Sequence, residues 1–377
     1  MICAVYGTTG ELIKLWPVLR GIEARGGRFI NTTTAQQVAQ IPDLLAQLDL
    51  PQPDVYFARG RGGRELHTNR DIPPWLASVA RGFAQNRRRL RRDLLSDGAP
   101  PLVLVHGDTM TTVLGTLIGR GLGAPVAHVE AGVRTWDLRH PFPEELNRRI
   151  VTKIARLHYA PGAKAAANIR NGTVVDTGMN TIRDSLELAG AEVDVPAEVA
   201  RAPFGIVSLH RYELLNDGPL LRSTLHALAT HAAQRPMLFV EHPVTVAAMK
   251  RFGLLGVFDG TSVVPMARRS FFDFIGLLRL ADFAVTDSGG TQVESYVLDK
   301  PCLVHRKKVE QPDGVGENVV VSGFDLSRLA QFLDEPHAHR RRTPPPAVSP
   351  SEIILDDLEA RGYLRPAARS PHTRPPK

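Results

Sequence analysis

Cysteine is nearly missing from this chain of 377 residues, and aromatics make up only 6% of it. The two cysteines, Cys3 and Cys302, each lie inside an apolar strand-like run, which excludes a disulfide framework and fits buried thiols in a reducing compartment. No HExxH or CxxC spacing occurs, so no structural metal is expected. No uninterrupted apolar run approaches the roughly 18 residues of a membrane span. The opening MICAVYGTTGE has no basic segment followed by a long apolar one. The expectation is a cytoplasmic chain with no membrane partner.

Basic residues outnumber acidic ones by 46 to 39, a formal charge of +7, which raises the question of a nucleic-acid partner. The excess is local. In NRRRLRRDLL the arginines share a segment whose apolar residues Leu76, Val79, Phe83, Leu90 and Leu94 recur at helical spacing, which makes them a solvated polar face. The other basic blocks, HRRRTPPP and RPAARSPHTRPPK, are rich in proline and are expected not to pack. With no recognition motif and no interleaved aromatics, no nucleic-acid partner is expected.

A hydrophobic share of 43% supports burial, and 377 residues exceed what one core usually holds, so two domains are expected. Short apolar runs alternate with amphipathic stretches almost from end to end. ICAVYG, PLVLVHG and PVAHVEAG read as buried parallel strands, and TMTTVLGTLIGRGLG as a helix between two of them. The rhythm returns in GIVSLHR, MLFVEHP, FAVTDSGG and PCLVH, with helices such as GPLLRSTLHALATHAAQR and FFDFIGLLRLA between them. This pattern predicts a doubly wound α/β fold twice over. The boundary is set near GMNTIRD, giving domains at 1–178 and 179–350. A closing helix at 351–364, with Ser351 as candidate N-cap, is expected to pack back on the first domain, and 365–377 to form a flexible tail.

Ligands of open parallel sheets bind beyond the carboxyl ends of the strands. Here those ends carry Gly7-Thr8-Thr9-Gly10-Glu11, His106-Gly107-Asp108, Glu130-Ala131-Gly132, His210-Arg211, Glu241-His242 and Asp287-Ser288-Gly289-Gly290. Two such domains facing each other would line one interdomain cleft with them. In AVTDSGGTQVESYVL two glycines after a strand are read as a sharp turn that exposes N–H groups at a helix start, an end that attracts phosphate. The plain alternative is an ordinary tight turn. Glu294, one turn into that helix, is a candidate for ribose hydroxyls or an exposed helix carboxylate.

Asp108, Glu130 and Glu144 form a carboxylate trio that adjacent strands would bring towards one place. Carboxylates sharing a cleft push their pKa values apart, which is how one becomes an acid and another a base. Taken singly, Asp108 and Glu144 also read as N-caps, and Glu130 as a partner of Arg134 or Arg148. His210 and His242, beside Arg211, are read as anion-binding residues, and Lys14 as a phosphate ligand or a partner of Glu11.

At these residues the chain resembles the UDP-N-acetylglucosamine 2-epimerase family, especially its non-hydrolysing bacterial branch. The resemblance runs from about Ile2 to Leu364, and VLVHGDTMTT, PVAHVEAGVRTWDLRHPFPEELNRR and TDSGGTQVES carry it most specifically. It implies a GT-B-like pair of Rossmann-like domains with the sugar nucleotide in the cleft, no metal or redox cofactor, and a homodimer. It also implies inversion at carbon 2 of the sugar by elimination of UDP to a 2-acetamidoglucal, followed by re-addition.

By the same resemblance Asp108, Glu130 and Glu144 are the catalytic carboxylates and His210 the histidine of the HR.E block. Lys14 and Arg148 take basic active-site positions. Ser288, Gly289, Gly290 and Glu294 form the nucleotide-binding turn and its ribose contact. The alternatives are a hydrolysing 2-epimerase that releases UDP and free sugar, a GT-B glycosyltransferase, and a non-catalytic sugar-nucleotide binder. Four positions depart from the family pattern: Thr9 in GTTGE, Gln37 in TAQQ, Tyr212 in HRYE and Gln311 in VEQPD. Three of them, Thr9, Tyr212 and Gln311, replace arginines, and Arg211, Lys14 or Arg306 are the candidates to supply the charge.

Overall fold

The structure is a computed structural model. It describes the whole chain except residues 67, 138–141, 191–192, 201–202, 310–311, 342–346 and 365–377. The expectations for Gln311 and for the tail at 365–377 therefore lie outside the described residues. So does much of the basic block HRRRTPPP.

Two compact units divide the chain. One comprises Met1–Ser185 together with the segment from Val348 onward, the other Leu186–Ala347. The first unit is built on a seven-stranded sheet of order β3-β2-β1-β4-β5-β6-β7. Its strands are β1 (Ile2–Tyr6), β2 (Phe29–Thr33), β3 (Val55–Tyr56), β4 (Leu102–His106), β5 (Val126–Val129), β6 (Leu157–Ala160) and β7 (Thr173–Asp176). The second unit has a six-stranded sheet of order β10-β9-β8-β11-β12-β13. Its strands are β8 (Gly205–Ser208), β9 (Met237–Glu241), β10 (Val263–Ala267), β11 (Phe283–Thr286), β12 (Cys302–Val304) and β13 (Val319–Val321).

Every named strand pair is parallel. That explains why the central strands read as unbroken apolar runs: helices cover both faces, and β1, β4, β5, β8 and β11 are buried along their length. Each sheet reverses direction once, between β1 and β4 in the first unit and between β8 and β11 in the second. At such a reversal the loops leaving two neighbouring strands diverge to opposite faces and leave a crevice. The residues beyond β1 and β4, and beyond β8 and β11, therefore have room for a ligand.

The helix Pro350–Ala360 belongs to the first unit and lies on the helix Thr9–Ala24. Ile354, Leu355 and Leu358 are fully buried, and a Cβ added to Gly21 would come within 2.1 Å of the Leu355 side chain, so glycine sets how closely the two helices approach. Arg25 pairs with Glu352, Asp356 and Glu359 along the rim. Those carboxylates are exposed, so the apolar contact rather than the ion pairs holds the helix down. Its N-cap is Ser349, whose hydroxyl accepts from Glu352 N–H, and not Ser351 as the sequence reading has it. Proline at the first helical position places the cap two residues earlier, and Ser351 instead bonds the buried Asp184 carboxylate. Among the described residues no helix is long and apolar enough to cross a membrane.

Candidate active site

In the first unit the helix Thr9–Ala24 begins with Thr8 as N-cap and Glu11 in a reciprocal capping box. Glu11 is buried and does more than cap. Its carboxylate accepts from the N–H groups of Gly7 and Thr8 at 2.8 and 2.9 Å and from the hydroxyls of Thr8, Thr109 and Thr112 at 3.1, 2.6 and 3.2 Å. Burial raises its pKa, and those donors pull the other way. Glu11 thus ties the end of β1 to the start of the helix Met110–Leu122 that follows β4. That helix is capped by Thr109, so Asp108 is not the N-cap the sequence allowed.

Because Glu11 is turned back on its own helix start, Lys14 is not its partner. Lys14 Nζ lies 2.5 Å from Glu130 Oε2 instead, and the same oxygen accepts from the Asn180 amide. Glu130, just beyond β5, is buried and holds φ at 66°, a left-handed conformation that costs a non-glycine residue about 1–3 kcal/mol. His106 Nε2 lies 3.7 Å away, buried and without a hydrogen bond. Burial lowers the His106 pKa to about 3, so it is neutral at pH 7. Burial alone would raise Glu130, but Lys14 and its neighbours bring the carboxyl to about 2. With His106 neutral, Lys14 and Asn180 are the groups that keep Glu130 ionised.

Asp108 is paired with Arg148, which reaches it from the helix Glu144–Ile154, and Asn147 on the same helix donates to the Asp108 carbonyl at 2.8 Å. This answers the alternative in which Arg148 or Arg134 pairs with Glu130: Arg148 takes Asp108, and Arg134 donates to the Val133 carbonyl and the Thr152 hydroxyl. Burial raises the pKa of Asp108, and Arg148 opposes it. Glu144 opens the same helix after Pro143, one turn before Arg148, with Oε2 buried and unbonded among the described residues. Glu145 beside it is fully buried and anchors the incoming loop through the N–H and hydroxyl of Thr135.

The second unit is basic where the first is acidic. Asp287, beyond β11, is fully buried and accepts the N–H of His210 at 2.9 Å and of Arg211 at 2.7 Å, fixing the loop that leaves β8. The rings of His210 and His242 lie 4.5 Å apart, and the Ser208 hydroxyl is 3.0 Å from His242 Nε2. Burial lowers both histidines to about 4, helped at His210 by Arg211, Arg268 and Arg306, and at His242 by His210 and Arg268. Arg306 is buried 3.6 Å from Glu213. The side chains of Arg211 and Arg268 have no hydrogen bond or carboxylate partner among the described residues.

Ser288 caps the helix Gly289–Val297. Neither Gly289 nor Gly290 has positive φ, so the turn does not require glycine, contrary to the sharp-turn reading. The glycines are the first two helical residues. A Cβ on Gly290 would stand 3.5 Å from Ser288 Oγ and 3.9 Å from Glu294 Oε1, over a helix N-terminus that favours an anion. Among the described residues no group of three or more His, Cys, Asp or Glu is placed to hold a metal ion.

One expected result concerns the histidine pair. Both are neutral at pH 6 in the free protein, and a bound diphosphate raises their pKa. Binding of a diphosphate beside them should therefore take up protons above pH 4 and weaken as pH rises. Calorimetry in buffers of different ionisation enthalpy reads the uptake directly, and its absence would place the diphosphate away from these rings.

A family model for UDP-N-acetylglucosamine 2-epimerase matches residues 90–341. The Bacillus subtilis UDP-N-acetylglucosamine 2-epimerase is 33% identical over 367 residues, covering 90% of this chain and 89% of that protein. The chain belongs to the UDP-N-acetylglucosamine 2-epimerase family. Two solved structures share the fold. The S. aureus MnaA–UDP complex has a TM-score of 0.76 at 25% identity and covers 99% of both chains. The Methanocaldococcus jannaschii UDP-GlcNAc 2-epimerase with UDP-GlcNAc and UDP has a TM-score of 0.73 at 23% identity, covering 95% of this chain and 99% of that one.

Two of the departures from the 2-epimerase pattern meet. Gln37 Oε1 accepts the Thr9 N–H at 2.8 Å and the Thr9 hydroxyl at 3.0 Å. Thr9 N–H is thus engaged by an amide at the start of its helix, while Gly7 and Thr8 N–H are engaged by Glu11. Tyr212 is 69% exposed at the start of the helix Tyr212–Leu215. Lys14 and Arg306 face carboxylates, so of the three candidates to replace the missing charge only Arg211 has a side chain with no ion pair among the described residues, its backbone N–H being held by Asp287. Sequence reading missed Arg268, which follows β10 in PMARRS at the same kind of strand end as His242. It also missed Asn180, and it placed Glu11 and Asp287 at strand ends without their pairings to distant segments.

Proposed function

We propose that this chain interconverts UDP-N-acetylglucosamine and UDP-N-acetylmannosamine by epimerisation at carbon 2. The observation that carries the reading is the pair of carboxylates at the ends of adjacent strands β4 and β5, one held ionised by Lys14 and the other, Asp108, raised by burial. Environments that push two carboxyls apart mark an acid and a base.

In the proposed cycle Glu130 takes the proton from carbon 2 as the bond from carbon 1 to the UDP oxygen breaks, leaving a carbon 1 to carbon 2 double bond. Asp108 returns a proton to the opposite face of carbon 2 while the UDP oxygen re-forms its bond to carbon 1. Glu130 ends protonated and Asp108 ionised, so exchange with solvent resets them. Arg148 and Lys14 offset the acids' charges, and Glu144 serves the same sugar from the helix that carries Arg148. In the second unit, Arg211, Arg268, His210, His242 and the Ser288–Gly290 helix start take the diphosphate. Glu294 takes the ribose and Arg306 supports the pocket. A homodimer acting in the cytoplasm goes with this reading.

The test is incubation with UDP-N-acetylglucosamine in heavy water, followed by proton NMR. Epimerisation yields the manno-configured nucleotide with deuterium at carbon 2 of both epimers. Release of UDP with free sugar would mark the hydrolysing reading. Unchanged substrate with UDP bound would mark a non-catalytic binder.

A further inference from the structure

We propose that Asn180 is a positioning residue for Glu130, tying down Oε2 so that Oε1 is the oxygen presented to the sugar. The proposal rests on the reading of Glu130 as the base. Asn180 lies between β7 and the helix Ile182–Leu188, 50 residues from Glu130 in sequence. Its amide cannot turn freely: Oδ1 accepts the Ile182 N–H at 3.0 Å, which directs Nδ2 at Glu130 Oε2. Asn180 is 8% exposed, so water does not substitute readily for this donor.

Lys14 donates to the same oxygen, and among the described residues nothing bonds Oε1. A carboxylate with one oxygen held twice and the other open is fixed about its terminal torsion, which otherwise has a broad distribution. The left-handed backbone at Glu130 points the same way: the residue is held in a costly conformation to meet both donors. The charged and titratable groups around Glu130 are Lys14 on the first helix, His106 on β4, Asp108 beyond β4 with Arg148 upon it, and His128 on β5. Asn180 is the neutral donor among them. It supplies orientation without adding charge and favours the ionised form of Glu130.

The experiment follows the Glu130 carboxyl by carbon NMR of glutamate-labelled protein, taking as its resonance the one lost in Glu130→Gln. Asn180→Ala is expected to raise its titration midpoint by about one to two units, the size of one hydrogen bond to a charged group. Asn180→Asp, nearly isosteric, raises it further by adding a like charge. In turnover, the acid limb of the kcat profile moves up by the same amount while KM changes less than threefold.

An unchanged midpoint in either folded variant, or a KM effect with kcat intact, overturns the proposal. Should Asn180→Ala fail to fold, Asn180→Asp decides. Because the titration needs no turnover, its outcome stands apart from the reading of the protein as an epimerase. That reading fails if the wild type leaves carbon 2 unlabelled or releases UDP with free sugar.

Discussion

Glu130→Gln is expected to lower kcat for epimerisation by about 10²–10⁴-fold, the range associated with losing a positioned general base, while UDP affinity changes little. The amide has no basic lone pair at neutral pH, and with its carbonyl oxygen turned to Lys14 and Asn180, which both donate to Oε2, it presents an NH2 group where the free Oε1 stood. UDP affinity is a fair control because the proposed anion-binding groups all lie in the second unit, where Glu130 has no part. Deuterium uptake at carbon 2 and calorimetric titration with UDP, on the same preparation, read the two quantities. A variant that still exchanges at the wild-type rate would remove Glu130 from the chemistry and hand the role of base to Asp108 or Glu144.

The largest stability effect is expected at Arg148. Arg148→Met removes the cation that faces Asp108, and Asp108→Leu leaves a guanidinium only 5% exposed, with Glu145 at 3.9 Å as its nearest other carboxylate. The Asp108 side chain is 21% exposed, so breaking the pair from one side costs less than the about 3–5 kcal/mol of a fully buried pair, and replacing both partners by apolar groups costs less again. Either single substitution should therefore lower the denaturant midpoint sharply, and the double substitution should recover most of the loss. Additive single effects would show that the pair is solvated and that Asp108 is not held by Arg148. All three variants lose activity, so chemistry and stability are measured separately.

Much of the architecture is legible in the sequence because parallel strands buried on both faces leave apolar runs that nothing else in the chain imitates. ICAVYG, PLVLVHG and FAVTDSGG each mark a strand of the structure. The ends of those strands are legible as polar, but their pairings are not. Lys14 reads as a partner of Glu11 three residues away, and only the fold shows that Glu11 is turned back on its own helix start and Lys14 on Glu130, 116 residues distant. Asp108 reads as a helix cap because Asp is a good one, yet Thr109 caps and frees the carboxylate for Arg148. Asp287 and Asn180 carry no local pattern, since one clamps backbone N–H groups and the other is a single amide in a connecting segment. The two glycines of TDSGG read as a bend, whereas in the structure neither has positive φ and both lie in the first turn of a helix capped by Ser288.

The helix Pro350–Ala360 places a constraint on how the molecule is made. Its buried face belongs to the first unit, yet it emerges from the ribosome after all of the second. The amino-terminal sheet must wait for residues 350–360 before its outer layer is complete, while the inserted unit is already whole. The domain synthesised first is thus the one finished last, and nascent chains stalled before residue 350 would leave Gly21 and its neighbours facing water.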